Sequence, residues 1–286
     1  MSHGCTDVKT TCAYCGVGCG VVATTNTDDT VSIKGDPEHP ANYGRLCSKG
    51  SALAETIDLE GRVLNPEINN KQVVWDEALD TVANKLSMAI KDYGHDAVAF
   101  YVSGQLLTED YYVANKLMKG FIGSANIDTN SRLCMSSAVA GHKRAFGSDT
   151  VPCDYEDIEH ADLIVLCGSN LAWCHPVIYQ RIVKIKQIRP ELKIIVIDPL
   201  KTATCDIADL HLPIRPGTDV MLFNGLLQFL QREGVLDWSF LEQHIEGFSS
   251  AIETSKQTAH SIPKVAAYCD VPEMDLANFY RSFGNT

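Results

Sequence analysis

Asp162-Leu-Ile-Val-Leu-Cys-Gly-Ser-Asn170 is followed downstream by Lys193-Ile-Ile-Val-Ile-Asp-Pro199. Each segment is a short apolar run that ends in turn-forming residues. Uninterrupted runs of this kind suit strands buried on both faces of a parallel sheet, so strands are predicted over Asp162–Cys167 and Lys193–Ile197. Between them Pro176 suits the first turn of a helix, which should stop before Pro190. A strand, a helix and a second strand in that order predict a doubly wound α/β sheet.

The same alternation extends both ways. Downstream, Asp219 is expected to cap an apolar helix over Val220–Leu230. A last helix is read from about Pro272 to Phe283, with Gly284 as its stop. The chain ends where another strand is expected. Upstream, Ala97–Val102 reads as a strand and Thr108–Lys119 as a helix. Asp76 is expected to cap a helix with Leu79, Val82, Ala83, Leu86 and Ile90 on its apolar face. Residues 1–60 differ: they are rich in Gly, Cys, Thr and Asp, and predict short strands and turns around something other than a large apolar core. The divisions implied are 1–62, 63–130 and 131–286.

Composition limits the function. The chain has 286 residues, 45% hydrophobic and 21% charged, as in packed globular proteins. A formal charge of −12 argues against a nucleic-acid partner, which would need a basic face. A small anionic substrate would need a locally positive pocket. No apolar run reaches the roughly 20 residues that span a bilayer, so no membrane association is expected. Met1–Lys9 carries neither an apolar stretch nor twin arginines, which points to the cytoplasm. In a reducing compartment the eleven cysteines are expected to be metal ligands or buried thiols, not disulfides.

Four cysteines stand out. Cys12, Cys15 and Cys19 fall within eight residues, and Cys47 follows from a distant segment. Three thiolates in one tight loop and a fourth from elsewhere suit a [4Fe–4S] cluster. Gly16, Gly18 and Gly20 let the loop turn and expose N–H groups toward cluster sulfurs. A structural zinc site is the rival, but it usually takes two separated cysteine pairs. A radical-SAM cluster would have the two spacings reversed. The glycines lack dinucleotide-loop spacing and enclose a ligand. Cys5 falls outside the pattern and is read as an incidental thiol.

Past Cys47-Ser-Lys49-Gly50, the blocks Gly104-Gln105, Asn130-Ser-Arg132-Leu-Cys134-Met135-Ser-Ser-Ala138, Gly168-Ser-Asn170, His175-Pro176, Asp198-Pro199 and Pro216-Gly217-Thr218-Asp219 occur in order. Together with the cysteines they resemble the molybdopterin oxidoreductase family, which includes periplasmic and assimilatory nitrate reductases and formate dehydrogenases. The run 103–112 is similar to the assimilatory nitrate reductases in particular. The resemblance implies a small N-terminal Fe–S domain, then doubly wound α/β domains of that family's type, C-terminally truncated. It implies molybdenum held by two molybdopterin guanine dinucleotides, with Cys134 as the protein's ligand to the metal. A soft thiolate suits a metal already held by sulfur; the bland alternative is a buried thiol.

Met135 follows the ligand position, where formate dehydrogenases typically carry His. A thioether is no base at neutral pH, which favours oxyanion reduction; core filling is the other reading. Lys49 is implied between cluster and pterin, and Gln105 and Asn130 at pterin-binding positions. At the strand ends, Gly168, Ser169 and Asn170 can approach a pyrophosphate, with the helix from Pro176 behind them. Cys174 and His175 lie in the same segment, and His175 is equally readable as structural. Asp198 would take a ribose or purine N–H, and Gly217, Thr218 and Asp219 would add contacts. Turn formation or capping is the alternative for both aspartates. Leu200-Lys201 departs from relatives that carry arginine there, which puts a phosphate contact in doubt.

The expected activity is reduction of nitrate to nitrite. Electrons would come from ferredoxin, flavodoxin or an NADH-dependent subunit. The alternatives are formate oxidation, reduction of another oxyanion, or a non-catalytic cofactor-binding fragment.

Overall fold

The structure, a computed structural model, describes residues 6–28, 30–57 and 59–286. Cys5 and the rest of 1–5 lie outside the described residues. The chain divides into two compact units, Met1–Val151 and Pro152–Thr286.

The first unit opens with an antiparallel meander of β1 (Thr6–Thr11), β2 (Gly20–Thr25) and β3 (Val31–Gly35). The register runs from Thr6 opposite Thr25 to Thr11 opposite Gly20, so the cysteine loop is the connection between β1 and β2. Val21 is fully buried, but its buried company includes Cys12, Cys19, Asp36 and Asn42. The expectation of strands without a large apolar core holds here.

Polar groups hold the next loop. Asn42 donates to the Gly20 and Arg45 carbonyls at 3.0 and 2.8 Å and accepts from the Gly20 N–H at 2.9 Å. Gly20 and Gly35 must lack a side chain, because a Cβ would lie 2.3 Å from the His39 ring and 2.2 Å from the Gly44 carbonyl. Helix α1 (Ser48–Ser51) follows, with Cys47 as its N-cap.

A short hairpin, β4 (Glu67–Ile68) and β5 (Lys71–Gln72), turns through Asn69 and Asn70, both left-handed. Asparagine tolerates that conformation better than most residues. Helix α2 (Trp75–Tyr93) starts earlier than expected: Val74 is its N-cap, and no side chain caps it. Asp76 therefore does not cap; it lies in the first turn, where a carboxylate favours the helix dipole. The expected apolar face is half-buried, and only in its second half. Leu86 and Ile90 pack on Val98, Met118 and Ile122, while Leu79 and Val82 are 59% and 55% exposed.

The strand read from Ala97 begins at Phe100, because His95–Ala97 forms a 3-10 turn. Asp96 fixes that turn by accepting from the Ser124 hydroxyl at 3.0 Å. Strand β6 (Phe100–Val102) pairs in parallel with β7 (Ile127–Thr129). Helix α3 (Thr108–Asn115) widens into a π-helical turn, Lys116–Ile122, closed by left-handed Gly123. After β7 come α4 (Asn130–Cys134) and α5 (Ser136–Phe146), separated by Met135.

The second unit begins with α6 (Asp157–His160) and is built on a parallel sheet ordered β10-β9-β8, of β8 (Leu163–Cys167), β9 (Lys193–Ile197) and β10 (Leu210–Leu212). Strand β9 is central, and its Ile194–Ile197 are all buried. Successive side chains point to opposite faces. Ile194, with Ile164 and Leu166 of β8, packs against Ile182 and Ile185 of α8 (Pro176–Ile188). Ile195 and Ile197 face the other way, onto α9 (Asp219–Glu233), α12 (Ile262–Cys269) and α13 (Glu273–Gly284). Helices thus cover both faces, as a doubly wound sheet requires. Fully burying each such side chain stabilises by roughly 1.5–3 kcal/mol.

Pro176 is at the first turn of α8, and that helix stops at Ile188 as read. Two end-signals act differently. Asp219 is the first residue of α9, behind Thr218, and is no cap. Gly284 is inside α13, and Asn285 follows as the cap. A Cβ on Gly284 would lie 3.2 Å from Leu230 Cδ2, so its smallness serves packing. Helices α10 (Trp238–His244) and α11 (Phe248–Thr258) complete the unit. Among the described residues no helix is long and apolar enough to cross a membrane.

Candidate functional site

The residues singled out in the sequence fall into three groups. Two lie in the first unit and one in the second.

The first is the cysteine loop. The Cys12 N–H donates to the Cys19 carbonyl at 2.9 Å, closing the end of the β1–β2 ladder. The Gly18 N–H donates to the Cys15 carbonyl at 3.1 Å, and Gly18 takes the left-handed conformation that closes the turn. Cys47 reaches the group from α1, where its sulfur accepts from the Gly50 N–H at 3.5 Å. Cys12 and Cys19 are buried, Cys15 and Cys47 half-buried, and all four are free thiols. Burial pushes the Cys19 thiol up to about 11, and the neighbouring Cys12, Cys15 and Cys47 add to that rise.

That donor set fits a [4Fe–4S] cluster. Among the described residues no three His, Cys, Asp or Glu side chains are grouped as ligands of a single metal ion. A four-iron cube asks for a different arrangement, because each thiolate meets its own iron. Lys49, on α1, holds its ammonium 5.6 Å from the ring centroid of Tyr14 in the cysteine loop. A positive charge is thus held against the ring of the cysteine loop.

The second group is the Cys134 turn. Helix α4 begins at Asn130, where the Thr129 hydroxyl caps it by accepting from the Ser131 N–H at 3.5 Å. Asn130 Oδ1 accepts from the Gly104 N–H at 2.7 Å. The Gln105 N–H is held by the Ser103 hydroxyl at 3.1 Å, and the Gln105 residue is exposed. Cys134 is the last residue of α4 and is exposed, not buried. Met135 beside it has non-helical φ and ψ of −108° and 7°, so the chain changes direction at the thiol. The Ser136 hydroxyl donates to the Arg132 and Leu133 carbonyls at 2.9 and 2.8 Å, bracing the break. Arg132 pairs with Asp128, whose carboxyl lies below its usual range first through the Thr129 N–H and then through that guanidinium.

The third group gathers at the carboxyl ends of β8 and β9. Gly168 leaves β8 in the left-handed conformation, its N–H donating to the Ile197 carbonyl at 2.8 Å. Cys167 places its sulfur 3.9 Å from Asp219 Oδ1. Burial, then Asp219, then Asp198 push that thiol up, which brings the three residues into one neighbourhood. A Cβ on Gly168 or Gly217 would meet nothing within 4 Å, so the backbone there lies open to close approach. Open backbone at strand ends fits a dinucleotide phosphate.

Other predicted residues have defined local roles. Asp198 accepts from the Leu200 N–H at 2.8 Å and so forms a turn. Asn170 Oδ1 accepts from the buried Thr204 hydroxyl at 3.4 Å. Thr218 is buried and donates to the Arg215 carbonyl at 2.6 Å. Ser169 is half-buried, and Cys174 and His175 are exposed. A short helix, α7 (Leu171–Cys174), lies between the Gly168 turn and α8, which begins at Pro176 as expected. His175 is the N-cap of α8 without a side-chain cap bond.

Sequence reasoning missed Cys167 and Thr204. Cys167 had a signal, since it ends the apolar run immediately before Gly168. Thr204 had none, because nothing local reveals that its hydroxyl bonds the Ala172 N–H at 3.1 Å as well as Asn170.

Comparison with known proteins adds three findings. The family model described as molybdopterin oxidoreductase matches residues 62–237, and that of the molybdopterin oxidoreductase Fe4S4 domain matches residues 6–59. Relatives include a nitrate reductase of Klebsiella oxytoca, 54% identical over 97% of this chain and 31% of its own length. A periplasmic nitrate reductase of Desulfovibrio desulfuricans is 39% identical over 98% of the chain and 38% of its own length. An F420-dependent formate dehydrogenase alpha subunit of Methanocaldococcus jannaschii is 34% identical over 97% of the chain and 41% of its own length. Among solved structures, acetylene hydratase from Pelobacter acetylenicus matches with a TM-score of 0.76 at 24% identity. It covers 95% of this chain and 38% of its own, a likeness of fold. The chain thus spans 31–41% of the length of these curated relatives.

Proposed function

The chain belongs to the molybdopterin oxidoreductase family, and from that premise we propose that it is the cofactor-binding N-terminal part of an assimilatory, cytoplasmic nitrate reductase. The observation that carries this reading is the convergence of four thiols in one unit that also exposes Cys134 at a helix break, next to Met135. The nitrate reductase of Klebsiella oxytoca, at 54% identity, supports nitrate as the substrate.

Residues 1–62 form the cluster domain in this reading, 63–130 open an α/β domain, and 131–286 carry a dinucleotide. Cys12, Cys15, Cys19 and Cys47 hold a [4Fe–4S] cluster. Lys49 keeps a positive charge between cluster and pterin, where it favours both the anionic group and an arriving electron. Cys134 is the ligand to molybdenum, and Gln105 and Asn130 contact a pterin. Gly168, Ser169, Asn170, Cys174, His175, Asp198, Gly217, Thr218 and Asp219 line the site of one molybdopterin guanine dinucleotide. The metal–pterin group, when bound, supplies two-electron redox chemistry and oxygen-atom transfer.

The balance is nitrate plus two electrons and two protons to nitrite and water. Met135 neither gives nor takes a proton at neutral pH, so the protons come from solvent or from other residues. Electrons come from ferredoxin, flavodoxin or an NADH-dependent subunit.

Full-length enzyme supplied with reduced viologen and nitrate is expected to form nitrite. No nitrite, with molybdenum and iron present, rejects the substrate. The isolated 286-residue chain is expected not to turn over. The formate dehydrogenase relative favours a second reading, formate oxidation; Met135 speaks against it, and the same enzyme offered formate and a viologen acceptor decides.

A further inference from the structure

We propose that the turn Ser103–Leu107 is a strut that fixes the Cys134 turn relative to the cysteine loop, with Asn130 as its positioning residue. The proposal rests on the reading of Cys134 as metal ligand and of the four cysteines as cluster ligands.

The turn is rigid from within. The Tyr111 hydroxyl donates to the Ser103 carbonyl at 2.8 Å and accepts from the Leu106 N–H at 3.3 Å, tying the two ends of the turn to one ring. Tyr111 lies on α3, so the turn is anchored to a helix.

Each side of the strut makes a close approach at a glycine. On one side a Cβ on Gly16, between Cys15 and Val17, would lie 3.3 Å from the Leu106 carbonyl oxygen. On the other a Cβ on Gly104 would lie 2.9 Å from Asn130 Oδ1 and 3.1 Å from Ser131 Cβ. A side chain at Gly16 would press on the Leu106 carbonyl by a few tenths of an ångström, and one at Gly104 would displace the Asn130 amide.

Asn130 locks the second contact. Its Oδ1 accepts from the Gly104 N–H at 2.7 Å and from the Thr129 hydroxyl at 3.4 Å. Asn130 and Cys134 are the first and last residues of the one-turn helix α4, so a shift at one end carries the thiol with it. The Val102–Thr129 pairing of β6 and β7 fixes both segments from behind. Asn130 thus serves as an inward tether, whatever its amide nitrogen contacts.

The test uses the full-length holoenzyme. Asn130→Ala should keep its iron, its molybdenum and the EPR signal of the reduced cluster. Its Mo(V) EPR signal should shift or split, and kcat with nitrate should fall roughly 10–100-fold, the scale of an ångström misplacement. Asn130→Asp keeps the acceptor oxygen and should restore the Mo(V) signal; Gly104→Ala should reproduce the alanine phenotype. If Asn130→Ala does not fold, Asn130→Ser, too short to reach Gly104, is compared with Asn130→Asp. A native Mo(V) signal and kcat in Asn130→Ala, or the same spectra in the serine and aspartate variants, would overturn the strut. An unchanged Mo(V) signal in Cys134→Ser would overturn the underlying ligand assignment, and the strut with it.

Discussion

Residues 6–57 and the unit Pro152–Thr286 reach order by different means. In the second unit, β9 buries four consecutive apolar residues, and Phe279 and Tyr280 are sealed beneath α9. The Tyr280 hydroxyl donates to the Leu222 carbonyl at 2.6 Å, so even its polar atom is satisfied inside the core. In the first region, β1 is exposed along its whole length, and the buried side chains include two cysteines, Asp36 and Asn42. Hydrophobic burial stabilises the one. Hydrogen bonds and gathered thiols, a framework for a metal cluster, define the other. Small domains with little apolar core commonly lean on such cross-links.

The largest test of that contrast is removal of the cluster. Iron chelation or Cys15→Ser in the full-length enzyme should reduce nitrate turnover by more than the about 10–100-fold that loss of an outer-shell partner costs, since electron supply through the cluster is lost. Hydrogen exchange should show protection lost over 6–57 and kept over 152–286. Equal loss in both regions would break the comparison.

Phe279→Ala is the converse experiment. Deleting this fully buried ring should cost about 3–5 kcal/mol, seen as faster exchange confined to the second unit. Next is Asn42→Ala, which leaves the buried Gly20 N–H without its side-chain acceptor, while the Gly20 carbonyl keeps the Asp36 N–H. A cost of about 1–3 kcal/mol is expected, measured as faster iron loss to a chelator with the second unit unaffected.

The smallest effect sharpens the second unit alone. Burial would raise the Asp209 carboxyl, but the Lys186 ammonium at 2.9 Å and the Ile194 N–H outweigh it, and the group lies below its usual range. A lowered folded value stabilises fully above the ordinary pKa near 3.9, and that stability is lost as pH falls through the folded value. Asp209→Asn should therefore lower the unfolding free energy from urea titration at pH 7 by about 0.2–1 kcal/mol, as for a partly exposed pair. The difference from wild type should shrink as pH falls below about 4 and vanish once pH is below the folded value. A constant difference at all pH values would assign Asp209 a role other than charge.

Legibility followed the same divide. Strand β9 was readable to the residue, because an apolar run between Pro190 and Asp198 leaves little choice of boundary. The Cys12, Cys15, Cys19 and Cys47 grouping was readable from spacing and residue type. Helix starts were not: Val74 and Thr218 precede α2 and α9 without capping them, and Asp76 and Asp219 fall just inside. An aspartate near a helix start satisfies either the end N–H groups or another partner, and only neighbours decide. For Asp219 the partner is Cys167.

The π-helical turn at Lys116–Ile122 and the helix break at Met135 had no sequence signal, since neither holds a proline. Both are places where packing or side-chain hydrogen bonds displaced regular α-helix.

The sequence by itself determined the periodicities, the breaker residues and the chemical identity of the donors. Apolar runs and thiol spacing are local properties, and they survive without knowledge of what lies opposite. Tertiary structure alone decided which groups meet: Gly104 with Asn130, Gly16 with Leu106, Cys167 with Asp219. Those contacts join residues far apart in the chain, and their energies depend on distances of a few ångströms that only the packed backbone sets.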